Sequence, residues 1–309
     1  MIIRILGSSA GGGFPQWNCN CANCRAVRAG TSAFCARTQS SLAVSADGAN
    51  WLLLNASPDL RQQIAATQRL SPPPGGAPRA SPIKAVALTN GDVDHIAGLL
   101  NLREAQSFSI YAAARVLDTL AANQIFDILK PEFVARKQLP LDAPIGVENA
   151  GQSLGLSIEA FAVPGKVALY LENEQVADFG TKSGDTIGLR LIDERTQSSF
   201  FHIPACARMD EALAKRLERA ALVFFDGTLW RDDEMLAQGL MAKTGARMGH
   251  MNMGGANGSI AAFATLDVKQ KVFVHINNSN PALDANSPER AYAVAAGWVI
   301  GEDGMEFVI

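Results

Sequence analysis

The stretch IKAVALTNGDVDHIAGL, residues 83–99, decides the fold. It reads as a buried strand, a polar loop and a helix, in that order. The loop carries Asp92, Asp94 and His95. Two carboxylates and an imidazole at the end of a buried strand can converge on one cation. Aspartate at a helix start also caps backbone N–H groups, with His95 as a buried partner. On this stretch alone both readings stand.

The same grammar recurs outward from it. ALVFFDGTLW (221–230) and QKVFVHINNSNP (270–281) are strands that end in polar residues, and they place Asp226 and His275 at those ends. Toward the N-terminus, IIRILG (2–7) reads as a first strand running into a glycine-rich loop. SSLAVS (40–45) and NWLLLNAS (50–57) read as a hairpin, because Asp47–Gly48 between apolar runs is a turn signal. PDLRQQIAATQRL (58–70) and RMDEALAKRLERA (208–220) read as helices, and SPPPGGAPRASP (71–82) as a surface loop. No linker divides the chain, so a single α/β domain over 1–309 is expected, with strands in both halves and helices outside. Polar clusters where buried strands run out are where such folds carry chemistry.

Composition narrows the function. Hydrophobic residues at 48% and charged residues at 18% supply an ordinary core. A net charge of −3 without a basic run argues against nucleic acid or anionic membrane as partner. No run reaches the roughly 18 apolar residues of a membrane span, and the N-terminal apolar run is too short for a signal peptide. The expectation is a soluble, cytoplasmic protein without membrane insertion.

The chain has five cysteines, three of them inside PQWNCNCANC (15–24). An odd count with such crowding does not suit a disulfide framework. Cys19, Cys21 and Cys24 put three thiols on one turn, separated by polar Asn20 and Asn23. A structural Zn²⁺ takes four tetrahedral ligands and favours thiolates. The cluster is read as a zinc site whose fourth ligand comes from elsewhere, against a reading of three free thiols or a redox pair. Cys35 is the nearest other thiol but reads equally as a core residue, as does Cys206. Of the four histidines, His95, His250 and His275 fall in strand-end or glycine-rich loops. His202, flanked by apolar residues, reads as core or as support for a neighbouring site. Arg61, Arg103 and Lys243 read as solvated surface cations.

The order of these pieces resembles the metallo-β-lactamase superfamily, with Asn90, Asp92, Asp94 and His95 aligned on its metal-binding loop and Asp226 and His275 on its later ligands. The resemblance implies a four-layer αββα sandwich with metal at one edge. LGSSAGGGFPQWNCNCANC and NASPDLRQQI are similar to a phosphodiesterase branch that carries a structural zinc, in which a histidine stands where this chain has Asn278. GGGFPQWNCNC, ARTQSS, DGTLW, MGHM, HINNSNP and NSPERA together resemble a family of pyrroloquinoline-quinone (PQQ) biosynthesis proteins.

The departures bear on chemistry. Asn90 and Asp92 replace the first two histidines of the superfamily loop, and Asn55 replaces an early aspartate. One pocket of a two-metal site is thereby stripped, and binuclear hydrolysis loses its basis. The resemblance implies one divalent ion held by Asp94, His95 and His275, joined by Asp92 or Asp226, with Fe²⁺ favoured by imidazole-plus-carboxylate ligation. His250 would shuttle protons or bind the substrate. The expected reaction is hydroxylation of the tyrosine ring of a Glu-Tyr-derived PQQ precursor. A carrier of PQQ or its precursor toward the periplasm, and a single-metal hydrolase, are the alternatives; a homodimer is left open.

Overall fold

The computed structural model describes residues 1–309. In chain order the strands are β1 (Ile2–Gly7), β2 (Ser41–Ser45), β3 (Trp51–Leu54), β4 (Ile83–Ala87), β5 (Phe108–Ala112) and β6 (Val134–Gln138), then β7 (Pro144–Asn149), β8 (Gln152–Ala162), β9 (Ile187–Asp193), β10 (Ser199–Ile203), β11 (Leu222–Asp226), β12 (Gln270–Val274), β13 (Trp298–Ile300) and β14 (Glu306–Val308). They make two seven-stranded sheets, ordered β14-β1-β2-β3-β4-β5-β6 and β13-β12-β11-β10-β9-β8-β7. Each sheet is antiparallel at one side and parallel at the other. The β3–β4–β5–β6 and β10–β11–β12–β13 neighbours run parallel.

Strict alternation along the strands builds the layers, since successive side chains point to opposite faces. Leu52 and Leu54 of β3 join Phe224 of β11 and Val272 of β12 in the core between the sheets. Trp51 and Leu53 of β3 pack instead with Leu60, Leu99 and Leu120 under the helices of the first sheet. Val223, Phe225 and Phe273 pack with Leu213, Phe263 and Trp298 under the helices of the second. Helix, sheet, sheet, helix: the αββα sandwich expected from the sequence is the observed fold.

Local chemistry explains the connections. Asp47 Oδ1 accepts from the N–H groups of Ala49 and Asn50, and Gly48 takes φ 77°, closing the β2–β3 hairpin. The helix expected over 58–70 is shorter: it runs Leu60–Ala66 and then tightens into a 3₁₀ turn, Gln68–Leu70. Asp210 caps the helix Glu211–Leu217 by accepting from Leu213 N–H. After β4 comes a single α-turn, Val93–Ile96, continuing as a 3₁₀ segment, Ala97–Leu102. No helix is long and apolar enough to cross a membrane.

The carboxyl ends of the parallel strands from both sheets meet at one rim. Asn55 follows β3, Asn90 follows β4, Asp226 ends β11 and His275 follows β12. Thr186, just before β9, bridges to Asn90 and ties the two sheets together there.

Candidate metal centre

Three side chains from the two sheets converge at that rim. Asp94, His95 and His275 offer ligand atoms that lie within 4.8 Å of one another. His275 Nε2 is 3.0 Å and His95 Nε2 3.8 Å from Asp94 Oδ2. His95 and His275 are buried, while Asp94 keeps some contact with a cavity of about 630 Å³.

Each imidazole is oriented from behind. His95 Nδ1–H donates to Asn90 Oδ1 over 2.7 Å, which leaves Nε2 buried with no hydrogen-bond partner. An orphaned buried nitrogen costs about 1–3 kcal/mol. Beside Asp94 and His275 this nitrogen is free to ligate a cation, and the Nδ1 bond fixes the tautomer that frees it. Asn90 itself is held by its neighbours: its Oδ1 also accepts from Asp92 N–H. Asn55 donates to Thr89 Oγ1 and accepts from Thr89 N–H, bracing the same loop. Asn90, which replaces a superfamily histidine, thus supports His95, and Asn55, which replaces an aspartate, supports the Thr89 end of that loop.

His275 is braced by Thr228. The Thr228 hydroxyl lies 2.7 Å from Asp226 Oδ1, to which it donates, and 2.8 Å from His275 Nδ1, from which it accepts. His275 takes φ 56° and Asn55 φ 63°. Left-handed backbone at a non-glycine costs of order 1–3 kcal/mol and persists only where surroundings enforce it. Here it turns the chain sharply at strand ends and aims polar groups at the rim.

The electrostatics are those of a closed ion-pair set. Burial pushes the Asp94 carboxyl up, but the charges of His95 and His275 and the hydrogen bond from His275 outweigh it and hold Asp94 well below the usual carboxylate range. Burial pushes His95 down. For His275 burial acts in the same direction, yet the Asp94 contact raises it above the ordinary imidazole value. The proton on its Nε2 therefore sits between His275 and Asp94, where a cation would replace it, since metal binding displaces ligand protons.

A second group, Asp226, His250 and His275, also lies within 4.8 Å. Asp226 is fully buried and engaged on both oxygens. Oδ2 accepts from Cys206 N–H and from His250 Nδ1, and Oδ1 from the N–H and hydroxyl of Thr228. Burial raises it, and His250 pulls it back below its ordinary value. It reaches the cavity only through His250, whose ring stacks on His275 at 5.1 Å and whose Nε2 is left without a bond. His250 is thus a half-buried cavity residue. Asp92 lines the cavity but its Oδ1 accepts from Leu169 N–H, and it stands outside the Asp94–His95–His275 group.

His202 is wholly buried and neither ring nitrogen has a partner. Burial first, then the nearby charges of His95 and His275, push it down to about 3, so it is a neutral packing element under the rim. Cys206 is core, as its apolar context suggests. Arg61 and Arg103 are exposed. Lys243 departs from the expected solvated surface: it is half-buried and lines the cavity.

The cysteine cluster abuts the other side of the cavity. The sulfurs of Cys19, Cys21 and Cys24 lie within 4.8 Å of one another. Cys21 caps the helix Ala22–Arg28, its sulfur accepting from Cys24 N–H. The side-chain amide of Asn278 stands 3.0, 3.7 and 3.3 Å from the three sulfurs. Burial raises the Cys21 thiol to about 11, whereas donated hydrogen bonds overcome burial at Cys19 and lower it. Cys35 is exposed and belongs neither to this cluster nor to the core, because the chain around it runs over the surface. The glycine-rich loop does two things. Gly12 and Gly13 turn at φ 91° and 72°, and Gly11 lies against Asp94, where an added Cβ would sit 3.4 Å from its carboxyl. The deciding signal missed in sequence was Thr228, a threonine two residues past a strand-end aspartate.

A family model described as a beta-lactamase superfamily domain matches residues 50–276. A coenzyme PQQ synthesis protein B of Xanthomonas oryzae pv. oryzae is 51% identical over 310 residues, covering 100% of both chains. One from Rhodopseudomonas palustris is 53% identical over 308 residues, covering 99% of each. The crystal structure of a Zn²⁺-bound PqqB from Methylobacterium extorquens superposes with a TM-score of 0.94 at 45% identity, covering 100% of both chains. With full-length identity at this level, and with the sandwich and its rim already in place, the chain belongs to the coenzyme PQQ synthesis protein B family of the β-lactamase superfamily.

Proposed function

We propose that the chain is an iron-dependent hydroxylase of PQQ biosynthesis, acting on the tyrosine ring of a Glu-Tyr-derived precursor. One observation carries the reading: the convergent set is two histidines and one carboxylate, Asp94, His95 and His275, facing a cavity. Two histidines and one carboxylate are the donor set that would suit a non-haem Fe(II) of the oxygen-activating kind. The zinc-bound relative supports a divalent cation in this family, and zinc binds such N,O sites more tightly than iron. The orphaned His95 Nε2 and the shared proton of His275 fit a cation.

A ferrous ion held there supplies dioxygen activation. This chain's own residues do the rest. Asn90 and Thr228 hold the two imidazoles in the ligating tautomer. His250, anchored through Nδ1 on Asp226, presents Nε2 to the cavity to take or return the phenol proton. In the overall balance one atom of O₂ would enter the ring and the other would leave as water, with two electrons from an external reductant and two protons. Cys19, Cys21 and Cys24, with Asn278 as neighbour or fourth ligand, would hold a structural zinc that ties the N-terminal loop to the cavity wall.

The test is anaerobic reconstitution with Fe(II), metal analysis, and incubation of glutamyl-tyrosine under ¹⁸O₂. One zinc and one iron per chain with ¹⁸O in the ring supports the proposal. Cleavage with oxygen from water makes the protein a hydrolase, and tight binding of PQQ or precursor without turnover makes it a carrier.

A further inference from the structure

Opposite Asp94 the cavity wall carries an unusual concentration of cations on one carboxylate. Glu172 is nearly enclosed, with 7% of its side chain exposed. Arg247 grips both of its oxygens, Nη1 to Oε1 at 3.1 Å and Nη2 to Oε2 at 2.8 Å. Lys166 Nζ adds a contact to Oε1 at 3.2 Å, and Lys243 Nζ lies 3.6 Å from Oε2. The Arg247 bonds come first among the causes that hold the Glu172 carboxyl down at about 2.

The arginine alone engages both carboxylate oxygens, in the two parallel N–H···O bonds that such a pair prefers. The guanidinium is itself fixed by stacking on Phe179 at 3.4 Å. The two lysines therefore keep donors that Glu172 does not take. Each ammonium has three donors. Lys166 makes one good bond and a 3.5 Å contact to Val167 O; Lys243 makes no hydrogen bond at all. Both line the cavity that holds Asp94, His95 and His275.

Their position is built. Glu172 closes a short turn, Leu169–Leu171, which is pinned to the metal loop by Leu169 N–H to Asp92 Oδ1 and by Tyr170 OH to Gly91 O. Asp92, lost as a histidine position of the superfamily, anchors this turn instead. Gly249, at φ 86°, lies close against Lys166: a Cβ there would stand 3.0 Å from Lys166 Cγ.

We propose that Lys166 and Lys243, positioned by the Glu172–Arg247 pair, form a carboxylate-binding subsite of the cavity. The substrate class is then an organic acid whose carboxylate rests on the lysines while its other end faces Asp94, His95 and His275. This rests on the reading of that cavity as the active site, but not on the reaction performed there.

The test is calorimetric titration of metal-loaded protein with glutamyl-tyrosine and with glutaminyl-tyrosine amide, which lacks both carboxylates. Wild type should bind the acid at least about tenfold more tightly, and the difference should shrink with added salt because exposed charge pairs are screened. The Lys166→Gln/Lys243→Gln double variant should lose the discrimination. The Lys166→Arg/Lys243→Arg variant should keep it, which separates charge recognition from loss of folding. No discrimination in wild type, or full discrimination in the glutamine variant, overturns the proposal. Because the titration reads binding, absence of hydroxylation would remove the oxygenase reading and leave this one standing.

Discussion

Thr228→Val removes one hydroxyl and almost no volume, and the structure says what that hydroxyl does. It is 5% exposed, donates to Asp226 Oδ1 at 2.7 Å and accepts from His275 Nδ1 at 2.8 Å. Asp226 survives the change, because Oδ1 keeps the Thr228 N–H at 3.0 Å and Oδ2 keeps Cys206 and His250. His275 does not. Its Nδ1–H is left buried without an acceptor, at a cost of about 1–3 kcal/mol. The ring escapes that cost by giving up the Nδ1 proton and keeping the one on Nε2, the atom that faces Asp94, and so surrenders the ligating lone pair. Removing such an orienting partner lowers metal affinity roughly 10–100-fold, or about 1.4–2.8 kcal/mol. Anaerobic Fe(II) titration against a competing chelator reads the affinity, and urea unfolding of metal-free protein reads the stability. Thr228→Ser, which keeps the hydroxyl, should lie near wild type in both. Wild-type affinity together with wild-type stability in the valine variant would refute the role assigned to Thr228 and, with it, the tautomer assigned to His275.

Other consequences are as direct. Gly98→Ala should destabilise at the upper end of the roughly 1–3 kcal/mol of overpacking, since a Cβ would fall 2.0 Å from Ser57 O on the loop that also receives His95. Gly146→Ala, where the nearest atom is 3.4 Å away, is the control in the same urea melts. Cys21→Ser keeps an N-cap acceptor for Cys24 N–H, so its lower melting temperature and the loss of one zinc equivalent by elemental analysis would report the metal alone; unchanged zinc and unchanged melting would exclude a structural zinc there. Glu172 is depressed from 4.5 to about 2, so its contribution to stability is whole above the unfolded value and is lost as pH falls between these values. Glu172→Gln should flatten the urea-midpoint profile in that window, and an unchanged acid limb would show that the cations do not stabilise it.

Much of this was legible in the chain itself. Near-continuous apolar runs in IKAVA, WLLL, LVFFD and QKVFV specify strands buried on both faces, and polar residues soon after them specify where the rim must be, because a buried strand can end in charge only where solvent or a site begins. Asp94, His95 and His275, and the three crowded cysteines, were therefore nameable from spacing and position. What the sequence could not decide depends on partners distant in the chain. Asn90 read as a lost ligand, and Asn55 as a replaced aspartate, until their hydrogen bonds to His95 and Thr89 are seen. Asp92 read as a candidate ligand, and no spacing could foretell that its Oδ1 accepts from Leu169 N–H, 77 residues away. Lys243 read as solvated because long cations usually are; only the folding of the 168–172 turn onto the metal loop places an ion pair, and a cavity, beside it. Periodicity is a local property that one strand or helix imposes on itself. The direction in which a carboxylate or an imidazole spends its hydrogen bonds is settled by whichever segment packs against it, and that is decided only when both sheets close.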